Sequence, residues 1–120
     1  MFEAQTLQGG TTVFSPWFER EGDSVRIALD LVSKAGNAQI AVTLHTKETD
    51  DAGDGNDSGG AGIAATGTVG QSIAAFSTAG PSPSVTLNDL VRYKFVVTGT
   101  SDAWVLFRML PAVWFDSVEA

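Results

Sequence analysis

The chain has 120 residues, 43% of them hydrophobic, with 7 basic and 14 acidic side chains, no cysteine and a formal charge of −7. That length suits a single domain, 1–120, whose core needs no disulfide or metal to hold it. The acid excess argues against nucleic acid or an anionic membrane as partner; the missing cysteines exclude thiolate catalysis and Cys-ligated zinc, and no apolar run approaches the roughly 20 residues that span a bilayer.

The first residues show no basic segment followed by an apolar core, so no secretory leader is expected. Residues 2–8 read as a short strand closed by Gly9-Gly10, and Thr11-Thr12-Val13-Phe14 as a second. Ser15-Pro16 interrupts it, because proline cannot donate to a central ladder. Trp17-Phe18 resumes an apolar segment up to a turn at Glu21-Gly22-Asp23. Residues 24–33 alternate strictly: Val25, Ile27, Leu29 and Leu31 share one parity, Arg26, Ala28 and Asp30 the other. That period of two marks a strand with one wet face. Lys34-Ala35-Gly36-Asn37 reads as a hairpin turn, and residues 39–47 alternate again, with Ile40, Val42 and Leu44 opposed to Gln39, Thr43, His45 and Lys47. These two strands are expected to pair antiparallel.

An Asp/Gly-rich stretch at 49–62 has no large apolar side chain and reads as a flexible loop. Residues 63–69 and 73–76 are lesser strands, 79–84 a second break, and 85–87 a short strand. Residues 90–98 and 104–110, separated by Gly99-Thr100-Ser101-Asp102, read as one long β-hairpin rich in aromatic and β-branched side chains. Trp104 alternates with Val105 and Phe107, so it is expected in the core, and Trp104→Ala is expected to cost about 3–5 kcal/mol. Pro111 ends the hairpin, Ala112-Val113-Trp114-Phe115 is apolar again, and 116–120 is a loose tail. The sum is an all-β chain of about seven or eight short strands, a sandwich of two antiparallel sheets, with the jelly roll as one such arrangement.

Asp54, Asn56 and Ser58, followed by Gly59, copy the opening spacing of an EF-hand calcium loop, with Asp50 and Asp57 as neighbouring oxygen donors. The twelfth position is Ala65, where a bidentate carboxylate is needed. No cofactor is therefore expected, and calcium at Asp50, Asp54, Asn56 and Asp57 stands against the reading of a solvated loop. His45, the one histidine, falls on the polar face of its strand, and no Gly-x-Ser-x-Gly elbow accompanies it. Glu19 and Glu21, or Asp50 and Asp51, sit on turns and read as solvated rather than as a glycosidase pair. The expectation is a protein that is not an enzyme. Arg92 and Lys94 belong to an outer face, with cross-strand ion pairs to acids such as Asp30. Phe2, Trp17, Phe18, Trp114 and Phe115 lie near the termini. They either pack on one another or contact a partner protein, where aromatic side chains are enriched. Tryptophans can also build a sugar-stacking platform, which leaves a carbohydrate-binding module as the alternative.

The order of these segments resembles small β-sandwich virion proteins of tailed bacteriophages. The resemblance rests on a strand-turn-Trp opening at 7–18, alternating strands at 25–47, and an Asp/Gly-rich loop at 50–60. It is completed by Arg92-Tyr93, a Thr98-Gly99 turn and a last apolar strand to Met109. The resemblance implies a capsid decoration or cement protein, or a related head or tail accessory protein. It would be made in the host bacterial cytoplasm, located in the virion, homo-oligomeric, and bound to the major capsid protein or another virion protein. It implies no active site.

Overall fold

Alternating apolar side chains can be buried only if a second layer covers them, and that requirement sets the architecture. A computed structural model describes residues 4–22, 24–47, 56–57, 62–77 and 89–115, none of them helical. The strands are β1 (Gln5–Gln8), β2 (Thr11–Phe14), β3 (Phe18–Glu19), β4 (Ser24–Ala35), β5 (Gln39–Lys47), β6 (Asn56–Asp57), β7 (Ile63–Thr66), β8 (Gly70–Ser77), β9 (Leu90–Thr98), β10 (Trp104–Met109) and β11 (Val113–Phe115). They form two antiparallel sheets packed face to face, as the sequence predicts. The first runs β1-β10-β4, with β11 following β10 along the same side of β4 and β8 on the other side. The second runs β2-β9-β5, with β3 following β2 along β9, and β6 and β7 on the far side of β5.

Neither expected hairpin exists. β4 and β5 lie in different sheets, and so do β9 and β10. β5 pairs with β9, bringing Val42 opposite Phe95 and His45 opposite Arg92, while β4 pairs with β10 and β8. The reason is packing. Each consecutive pair is apolar on one parity, and folding it across the interior sets the two apolar rows against each other instead of side by side. The connections show the same preference: Ala38 and Ala103, inside the two turns, are 0% and 1% exposed. A hairpin turn would hold such residues out in water.

Three of these sheet-to-sheet corners stack at one end of the molecule: β1 to β2, β4 to β5, and β9 to β10. The Gly9 amide donates to the Ala103 carbonyl (3.0 Å) and the Gly10 amide to the Val97 carbonyl (2.7 Å). Asn37 Oδ1 accepts from the Thr100 amide (3.0 Å), and Thr100 Oγ1 donates to Asp102 Oδ1 (2.6 Å). Gly99 has φ +125°, and a Cβ there would stand 2.9 Å from Asn37 Oδ1 and 3.0 Å from Ala38 Cα, so no other residue fits that corner.

Between the sheets lie Val25, Ile27, Leu29, Leu31, Val105, Phe107 and Met109 from one side. Ile40, Val42, Leu44, Val91, Tyr93, Phe95 and Val97 come from the other, all buried. A chain of rings crosses this layer. Trp114 meets Phe18 edge-on (6.5 Å between centroids), Phe18 meets Tyr93 (5.8 Å), Tyr93 meets Phe95 (5.8 Å), and Phe95 meets Phe107 (5.2 Å). Ser15 is buried at the edge of the second sheet. Its amide donates to the Tyr93 carbonyl (3.0 Å), and its Oγ accepts from the Tyr93 amide (2.8 Å), so its polar atoms are satisfied where Pro16 ends the ladder.

Trp104 departs from the expectation. Val105, Phe107 and Met109 point inward, and Trp104 stands half-buried with Leu106 and Arg108 on the outer face of the first sheet. Phe107→Ala should therefore cost about 3–5 kcal/mol and Trp104→Ala distinctly less, read from urea denaturation midpoints. Tyr93 supplies a pH dependence. Burial pushes its phenol from 10.0 up to about 12. Because the folded state holds the neutral form, its contribution is complete below about pH 10 and is lost as pH rises from 10 to 12. Denaturation of the wild type should show that decline, and Tyr93→Phe should flatten it.

Candidate functional site

The outer face of the second sheet carries the one concentrated chemistry among the described residues. Parity turns Thr43, His45 and Lys47 of β5 and Arg92 and Lys94 of β9 outward, and register sets His45 beside Arg92 and Thr43 beside Lys94. Phe14, at the end of β2, lies opposite Lys94. Beyond it Pro16 breaks the strand, and Trp17 enters the same cluster.

The Arg92 guanidinium carbon lies 4.0 Å from the centre of the Phe14 ring and 4.5 Å from that of Trp17, and Lys47 Nζ lies 4.7 Å from Trp17. His45 packs on Phe14 at 5.0 Å, and Arg92 Nη2 is 3.4 Å from His45 Nδ1. Arginine can only donate, so any hydrogen bond between the two has Nδ1 as its acceptor. A cationic, partly aromatic surface thus stands on a chain whose overall charge is −7. It offers stacking and charge, but no nucleophile held against a base.

The opposite outer face, that of the first sheet, carries exposed apolar side chains on either side of a polar row, Arg108, Asp30 and Gln71. Val32, Ile73 and Val113 are 44%, 62% and 52% exposed, with Leu106 and Trp104 half-buried beside them. Asp30 lies on this face and not beside Arg92: Arg108 Nε donates to Asp30 Oδ2 at 3.0 Å. The expected pairing of Asp30 with Arg92 or Lys94 fails because β4 and β9 belong to different sheets.

The terminal aromatics divide. Phe18 and Trp114 pack against the core and against each other, whereas Trp17 is half-buried on the outer cationic face. Phe2 lies outside the described residues. Phe115 is described only as backbone, in β11. Of the calcium candidates, Asp50 and Asp54 also lie outside them, while Asn56 and Asp57 form β6 and pair with Thr46 and His45. Among the described residues no group of three or more His, Asp or Glu side chains is placed to hold a metal ion.

A scan against protein-family models and searches of curated proteins and of solved structures find no match to this chain.

Stacking of a guanidinium on a ring at a partly exposed site is worth about 0.5–1 kcal/mol. A double-mutant cycle with Arg92→Met and Phe14→Leu should return a coupling of that size in denaturation experiments. A coupling of zero would reduce the cluster to coincidental proximity.

Proposed function

We propose that the chain is a non-enzymatic virion structural protein, a capsid decoration or cement protein that binds and stabilises the shell of a tailed phage. The observation that supports this best is the set of exposed apolar side chains, Val32, Ile73 and Val113, on the outer face of the first sheet. Exposed apolar side chains gathered on one face are characteristic of protein contact surfaces. The charges among its described side chains are Arg26 and the Arg108–Asp30 pair, which a covering partner would have to meet with polar groups of its own. The order of strands, acidic stretch and Arg-Tyr segment along the sequence supports the same reading. A shell presents many identical sites, and a homo-oligomer that engages several at once gains retention through avidity.

The rival is a carbohydrate-binding module, with calcium at the acidic stretch. It needs open, coplanar rings. Phe14 and Trp17 already lie against Arg92, which gives that reading less support.

Ile73 and Val113 are both largely exposed, so Ile73→Asp combined with Val113→Asp should leave the fold intact. The double variant should fail to co-sediment with intact particles that retain the wild type. Wild-type retention of the variant would rule out this contact face, and a positive glycan screen would favour the rival.

A further inference from the structure

Among the described residues, one edge of the sandwich is left open. β1 ends the first sheet and β2 ends the second, and between them lies a slot of about 240 Å³. Phe95 and Phe107 lie deepest in it, and Val13, Phe14, Ser15, Pro16 and Gln5 line the rest. The slot exists because the inward positions here are poorly filled. Gln5 faces inward opposite Phe107, yet it is polar and exposed, and Ser15 is short. A cavity of about 150 Å³ with an apolar lining is enough to hold a benzene-sized group. The opposite edge, β7 and β8, is closed by the buried Ile63 and Ala74.

The charge distribution points to what meets this edge. Two copies that each carry −7 repel overall, and a contact free of charge on both sides adds nothing to that repulsion. Residues 4–17, the whole of β1 and β2 with their flanks, contain no ionisable side chain. Edge strands are ordinarily guarded by such charges against pairing with another chain.

The backbone is set for it as well. The Gly9 amide donates to Ala103, opposite which it lies, so by the alternation of an antiparallel ladder Gln5 and Leu7 also bond toward β10. The amides and carbonyls of Thr6 and Gln8 then point to the free edge. We propose that β1 of a second copy pairs antiparallel with β1 about a two-fold axis at Thr6. That register sets Leu7 of each copy beside Gln5 of the other, where its side chain can cap the mouth of the slot. The edge is shorter than the about 20–30 residues that a standard interface supplies per side, so the dimer is reversible.

The test follows mass by light scattering from micromolar to millimolar protein. The wild type should climb from 12.5 kDa toward twice that value. Thr6→Lys, a substitution at an exposed position, should stay monomeric throughout, because it sets two ammonium groups against each other on the axis. Cross-linking gives a second readout, since the chain has no cysteine of its own. Paired Cα atoms there would be about 5.5 Å apart, inside the roughly 4.4–6.8 Å that a disulfide spans. Under mild oxidation Thr6→Cys should form a covalent dimer at least tenfold faster than Gln71→Cys on exposed β8. A wild type that stays monomeric at every concentration overturns the proposal. So does a Thr6→Lys variant that associates as the wild type does, or a Thr6→Cys variant no faster than the control. No particle enters these assays, so their failure would leave shell binding standing, and failure of shell binding would leave the dimer.

Discussion

The contact between two rows of alternate side chains holds this molecule together. Leu29, Leu31, Val105 and Phe107 on one sheet meet Ile40, Val42, Tyr93 and Phe95 on the other, and each is almost wholly removed from water. A fully buried side chain of this size contributes about 1.5–3 kcal/mol relative to exposure, far more than any surface pair in the structure. Everything else is subordinate to that layer. The corner glycines are tolerated because they let the chain cross it, and Ser15 is buried because Tyr93 supplies both of its backbone hydrogen-bonding groups. The outer faces differ in chemistry because neither is needed for folding.

The alternation in 24–33, 39–47 and 90–98 reveals which side chains are inside, and the two-sheet class follows from it. What alternation cannot reveal is the partner of each strand. A hairpin and a corner bury the same residues; they differ in whether the two apolar rows lie side by side or face to face. The distinguishing signal sits in the turns. Ala38 and Ala103 are small apolar residues within short polar connections, and a turn that tucks an alanine inward carries the chain across the interior. Trp104 misleads for a related reason. It follows the corner directly, and the inward row begins one residue later, at Val105.

The cationic cluster is hidden in the sequence by the same ambiguity. Phe14, His45 and Arg92 are separated by 31 and 47 positions and come together only through the pairing of β2 and β5 with β9. Once that pairing is known, parity alone puts all three outside. Pro16 is the one local hint: it ends the ladder and lets Trp17 leave the strand's alternation. The same pairing gathers Lys47, Arg92 and Lys94, three of the seven basic side chains, on one face.

The stacked corners also determine how the chain must reach this state. Successive strands almost never neighbour each other in a sheet: Leu7 finds its partner at Val105, and Val13 at Phe95. Among the described strands only β6 and β7 pair with a strand close before them, β5; the long ladders all join distant segments. β1 and β2 find their partners only once residues 104–107 and 94–97 have been synthesised. Pairing at such separation pays loop-closure entropy before any ladder forms, which makes acquisition of the native state slow and exposed to aggregation. In this topology neither sheet is complete until segments from both ends of the described chain are present together, so the two sheets form as a whole rather than piece by piece.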